Sequence, residues 1–119
     1  MLRSLLPASL AAALCCGAVG SLPAAAQDRS LWLYNGESTT VYGYFLAGEG
    51  IYGSCDYDCY DLDLYLYDST GRLVDSDTLL DSIPIVNAPY TGNFEIQVTM
   101  PNCSHSAGCA VEVSSDYGF

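Results

Sequence analysis

Four aspartates and two cysteines fall within nine residues of this 119-residue chain, in Cys55-Asp56-Tyr57-Asp58-Cys59-Tyr60-Asp61-Leu62-Asp63. Carboxylates gathered on short loops are what calcium takes, since it accepts six to eight oxygens in flexible geometry. Asp56, Asp58, Asp61 and Asp63 are the candidate ligands, and Asp75 or Asp77 can approach from a neighbouring strand. An EF-hand is excluded. Counted from Asp56, no glycine stands at the sixth position, and Tyr67 occupies the twelfth, where glutamate is needed. The competing reading is local, with Asp61 and Asp63 capping a turn through backbone amides. Calcium is the best chemical candidate for a cofactor, and no other is indicated.

Tyr65 and Tyr67 continue the same stretch, on the side of an extended strand that also carries Asp61 and Asp63. A stripe of acids and aromatics suits sugar stacking or a protein partner, and equally a neighbouring strand of the same fold. Nucleophilic catalysis finds little support. The one histidine, His105, lies between Ser104 and Ser106 in a cysteine-bounded loop, and a triad is defined by geometry rather than by adjacency in sequence. Paired carboxylates for glycoside hydrolysis are plentiful, but a chain this short leaves little room for a substrate cleft. No catalytic residue is assigned, and the protein is expected not to be an enzyme.

These side chains need strands to position them. Leu62, Leu64 and Leu66 alternate with Asp61, Asp63, Tyr65 and Tyr67, the pattern of a strand with one face in a core. Thr39–Leu46 places Val41, Gly43 and Phe45 on one side and Tyr42, Tyr44 and Leu46 on the other. Asn93–Met100 alternates in the same way, with Phe94, Ile96, Val98 and Met100 inward. Shorter strands are expected at Leu31–Tyr34, Ile51–Tyr52, Arg72–Ser76, Ile83–Val86 and Ala110–Ser114, with turns at Asn35-Gly36 and Asp68-Ser69-Thr70-Gly71. Pro84 marks its strand as an edge. No later segment keeps a helical period. The fold class is therefore all-β, a single antiparallel β-sandwich of about seven or eight strands with Greek-key or jelly-roll connections.

The chain opens on Met1-Leu2-Arg3, an apolar run from Leu5 to about Val19, and Ala24-Ala25-Ala26. This reads as a secretory signal peptide over residues 1–26, cleaved after Ala26, and places residues 27–119 in a secreted or periplasmic domain. Acylation at Cys15 or Cys16 is the weaker alternative, because neither follows a small residue. Two arginines oppose 14 acids in residues 27–119, a formal charge of −12 that repels nucleic acid and anionic lipid. No membrane insertion is expected after cleavage. Cys55, Cys59, Cys103 and Cys109 imply two disulfides in an oxidising compartment, in preference to a zinc site. Local pairs, Cys55 with Cys59 and Cys103 with Cys109, suit the short spacings. The second pair is expected to bridge facing strands of one ladder. Cross-pairing is the alternative, and would close longer loops.

At Asp61-Leu62-Asp63-Leu64-Tyr65-Leu66-Tyr67-Asp68-Ser69-Thr70-Gly71, with Val74, Asp75 and Asp77 behind it, the chain resembles the bacterial pre-peptidase C-terminal domain. Thr91-Gly92-Asn93-Phe94-Glu95-Ile96-Gln97-Val98 resembles the later turn and strand of that family, so the likeness spans roughly residues 36–115. The resemblance implies a non-catalytic β-sandwich of the kind appended to secreted hydrolases, some relatives of which bind collagen, polysaccharide or calcium. Two features depart from it: no enzyme accompanies the domain, and two cysteine pairs stand at its loop ends. The function expected is a secreted binding module for glycan, matrix protein or an envelope partner. The rival is a small hydrolase or hydrolase inhibitor.

Overall fold

The structure is a computed structural model that describes residues 29–119, so the expected signal peptide and its cleavage point lie outside the described residues. Eight strands follow in order: β1 (Arg29–Leu33), β2 (Ser38–Phe45), β3 (Gly50–Cys55), β4 (Cys59–Asp68), β5 (Leu73–Asp77), β6 (Ile85–Asn87), β7 (Gly92–Cys103) and β8 (Cys109–Ser115). They form two four-stranded antiparallel sheets, ordered β1-β8-β3-β6 and β2-β7-β4-β5. Strand 1 pairs with 8, 2 with 7, 3 with 6 and 4 with 5, as when a long hairpin is rolled upon itself. This is the jelly-roll wrapping of a β-sandwich. No helix occurs among the described residues.

Alternation decides which side chains enter the core. Leu62, Leu64 and Leu66 of β4 are fully buried, and across the β4–β7 ladder Leu64 faces Val98 and Leu66 faces Ile96 in the same core. Each leucine contributes roughly 1.5–3 kcal/mol by its removal from water. Gly43 is the one inward position of β2 without a side chain, because a Cβ there would run into the rings of Phe45 and Phe119. That space lets Phe119 stand edge-on to Phe45, with ring centroids 5.0 Å apart. Arg29 covers the Phe119 ring from outside and donates to its backbone oxygen at 2.6 Å.

The open edge between the sheets is closed by β5 and β6. Asp77 accepts the Ile85 amide at 2.9 Å and Asp75 accepts the Asn87 amide at 2.8 Å, so two carboxylates replace a ladder. β6 is an edge strand preceded by Pro84, as the missing amide requires.

Both disulfides form locally, Cys55–Cys59 with Cα atoms 5.9 Å apart and Cys103–Cys109 with Cα atoms 6.1 Å apart. The expected setting of the second pair is corrected. β7 and β8 belong to different sheets, so this bond spans a corner where the chain crosses from one layer to the other. Cys55–Cys59 does the same between β3 and β4, and Cys59 faces Cys103 across the β4–β7 ladder. The two bonds therefore lie side by side at one end of the sandwich. Each closes a short loop, worth about 2 kcal/mol in the chain-entropy account.

Candidate functional site

The outer face of the β2-β7-β4-β5 sheet collects the polar and aromatic residues that alternation turns away from the core. Register sets them in rows. Tyr42 faces Glu95, which faces Tyr67; Thr40 faces Gln97, which faces Tyr65; Ser38 faces Thr99, which faces Asp63. Tyr42 and Tyr44 are exposed, while Tyr65 and Tyr67 are half-buried between their neighbours. The Tyr67 hydroxyl donates to Gln97 Oε1 at 3.4 Å, and the hydroxyls of Ser38 and Thr99 share a hydrogen bond of 2.9 Å. An open recess of about 390 Å³ lies between Tyr42, Tyr44, Ser69, Asn93 and Glu95. Tyr42 and Tyr44 were legible as outward residues of β2. Joining them to Tyr65 and Tyr67 requires β7 between the two strands, which no local pattern shows.

The four candidate calcium ligands separate into two groups. Asp56 sits in the disulfide turn, where Oδ2 accepts the Ala110 amide at 2.9 Å and Oδ1 accepts the Asp58 amide at 3.3 Å. Its carboxylate holds the turn against β8. Asp58 contributes its backbone oxygen, which accepts the Ser104 amide at 2.8 Å and the Ser104 hydroxyl at 3.2 Å. Asp61 and Asp63 lie further on, on the side of β4 opposite Leu62 and Leu64, and are only 6 % and 8 % exposed. Oδ1 of each is buried without any hydrogen-bond partner. Burial pushes the Asp63 carboxyl above its ordinary range, and the charges of Asp61, Asp77 and Asp81 push it in the same direction.

The strand is irregular where this pair stands. The β4–β7 register shifts between Cys59 and Asp61 and again between Asp61 and Asp63. Tyr60 is the extra residue on β4, and Met100-Pro101 supply the extra length on β7, where Pro101 has no amide to give the ladder. The neighbouring loop repairs part of the gap, since the Leu62 amide donates to the Asp81 carbonyl at 2.9 Å. Asp77 points to the other side of its strand, toward β6, so it bears on Asp63 through its charge and not as a neighbour on the same face.

At the far end of β4 another buried carboxylate, missed as a structural centre in the sequence, is fully engaged. Asp68 Oδ1 accepts the Thr70 hydroxyl, the Thr70 amide at 2.9 Å and the Arg72 amide at 3.1 Å; Oδ2 accepts the Tyr90 hydroxyl at 2.6 Å. The Thr70 and Tyr90 hydroxyls, with the two amides, hold its carboxyl well below the usual range against the opposing effect of burial. The D-x-x-G sequence at residues 68–71 was the available signal.

His105 and Ser104 are tied into the loop and the neighbouring turn. His105 Nδ1 accepts the Ala107 amide at 3.1 Å, and the Ser104 hydroxyl is given to Asp58. Among the described residues, no group of three or more His, Cys, Asp or Glu side chains stands ready to hold a metal ion. Compared with protein-family models and with curated proteins, the sequence matches none.

Proposed function

We propose that the protein is a non-catalytic binding module of the secreted or periplasmic space whose ligand is a polysaccharide lying across the outer face of the β2-β7-β4-β5 sheet. One observation carries the reading: Tyr42, Tyr44, Tyr65 and Tyr67 share that face with Asn93, Glu95 and Gln97. Sugar rings present axial C–H groups that pack on aromatic faces and hydroxyls that pair with amides and carboxylates. A solvent-facing sheet surface with an open recess suits a chain-like ligand better than a small enclosed one. The acidic balance disfavours nucleic acid and anionic lipid as the alternative occupants. The resemblance to pre-peptidase C-terminal domains, some of which bind polysaccharide, points in the same direction.

The test is retention of the purified protein by a panel of soluble and insoluble polysaccharides, read by affinity electrophoresis and pull-down. Binding to at least one glycan is expected, weakened about tenfold by Tyr42→Ala and by Tyr65→Ala. Binding unaffected by both substitutions would move the site elsewhere. Bond cleavage in the same assays, abolished by His105→Ala, would replace the reading with a hydrolase.

A further inference from the structure

Four acidic side chains are buried in the described domain: Glu49, Asp61, Asp63 and Asp68. Two of them are supplied with donors by the protein itself. Asp68 takes the hydroxyls and amides described above. Glu49 accepts the Leu46 amide at 2.8 Å through Oε1, and the Ser115 hydroxyl at 2.8 Å and the Tyr117 amide at 3.3 Å through Oε2. Asp61 and Asp63 each keep an Oδ1 that is removed from water and bonded to nothing. A buried carboxylate oxygen without a partner is costly, and two close together cost more through their mutual repulsion.

No basic side chain relieves that cost. Arg29 and Arg72 are the only arginines or lysines among the described residues. Arg29 is spent on the backbone oxygens of Phe119 and Tyr42, and Arg72 lies 3.4 Å from Asp68 at the opposite end of β4. Thr99, the residue across from Asp63, shares its hydroxyl with Ser38. What the pair lacks is a positive charge from outside the chain.

We propose that Asp61 and Asp63 form a binding site for one hard divalent cation, calcium in an extracellular medium, on the outer face of β4, with water completing its coordination. The two residues stand two positions apart on one side of a strand, so their side chains emerge about 7 Å from each other and can converge on a single ion. The ligands the pair offers are carboxylate oxygens, which selects calcium or magnesium over zinc or copper. Calcium is favoured because it tolerates irregular coordination, whereas magnesium demands a near-octahedral shell. With two protein carboxylates and the rest water, the affinity falls in the weak class of extracellular sites, a dissociation constant of about 10⁻⁴–10⁻³ M. The site excludes the disulfide turn, whose Asp56 carboxylate is already committed to two amides. It is independent of the ligand assigned to the tyrosines, and its test uses no glycan.

The experiment is calorimetric titration of the metal-free protein with calcium chloride at constant ionic strength, beside the variants D61N/D63N and D58N. Saturable one-site binding by the unaltered protein and by Asp58→Asn is expected, with loss of at least tenfold in affinity for the double variant. Equal heats from D61N/D63N, or a loss in D58N as large as in the double variant, would overturn the assignment. So would magnesium giving the same isotherm, since that is diffuse screening. Should the double variant fold poorly, amide chemical shifts of the unaltered protein decide the matter. Calcium-dependent shifts must centre on residues 60–64, and a uniform drift or shifts confined to 55–59 would refute the site.

Discussion

At the C-terminal end of β4, Asp68 begins the turn Asp68-Ser69-Thr70-Gly71 and accepts two of the amides that the turn leaves free. Toward its N-terminal end, Asp61 and Asp63 lie within the strand, where amides are committed to neighbours and none turns back to a side chain. The residue type is the same, and all three are buried. The difference is the supply of donors. A turn exposes backbone N–H groups that a short carboxylate can reach, while a ladder consumes them. Asp68 is therefore a fastener that joins β4, β5 and the Tyr90 loop. Asp61 and Asp63 hold charge that the fold does not answer.

The sharpest way to break this comparison is at the satisfied end. Asp68→Ala strands the hydroxyls of Thr70 and Tyr90 and two amides, so the thermal midpoint at pH 7 should fall by roughly 10 °C or more. A change of only a degree or two, followed by circular dichroism, would show that the fastening is decorative.

Acid tests the same carboxylate with a known sign. The folded value of Asp68 lies below its unfolded value, so the unfolded chain takes up the proton first as pH falls. Its contribution is full above about pH 4–5 and is lost progressively below that range. Asp116 adds the same sign, since the Tyr52 hydroxyl and the Gly50 amide lower it. Midpoints measured from pH 5 to pH 2 should drop for the unaltered protein and drop less steeply for Asp68→Asn. Parallel curves would remove Asp68 from the account.

Asp58 sets the floor of the comparison. Its backbone oxygen does the structural work, so Asp58→Asn should leave the thermal midpoint within about 1 °C of the unaltered protein. A loss comparable to that of Asp68→Ala would mean that the turn carboxylate bears a role its contacts do not reveal.

Much of the fold was legible because it is local. The Leu62-Leu64-Leu66 alternation, the Gly36 and Gly71 turns and the edge position before Ile85 follow from periodicity and from what proline and glycine permit. The short spacings favoured local disulfides but left cross-pairing open, and the structure shows the local pairs. Their place at the corners between sheets was not legible, because the pairing of β1 with β8 and β2 with β7 joins residues far apart in sequence. The tyrosine face shares that limit: each strand declares its own outward side, and only register lays Tyr42 beside Glu95 and Tyr67. For the aspartates, sequence gathered Asp56, Asp58, Asp61 and Asp63 by proximity. The structure divides them by where donors are available, and a bulge at Tyr60 lies between the two groups.

The most direct test of the contrast along β4 is thermal unfolding of the unaltered protein and D61N/D63N at pH 7, each with chelator and with millimolar calcium. Replacing two unanswered carboxylates by neutral amides of the same shape should raise the chelated midpoint by about 3–5 °C. Calcium should then raise the unaltered protein by a similar amount and leave the double variant unmoved. A chelated double variant that melts well below the unaltered protein, in the manner expected of Asp68→Ala, would contradict the account. Asp61 and Asp63 would then be fasteners too.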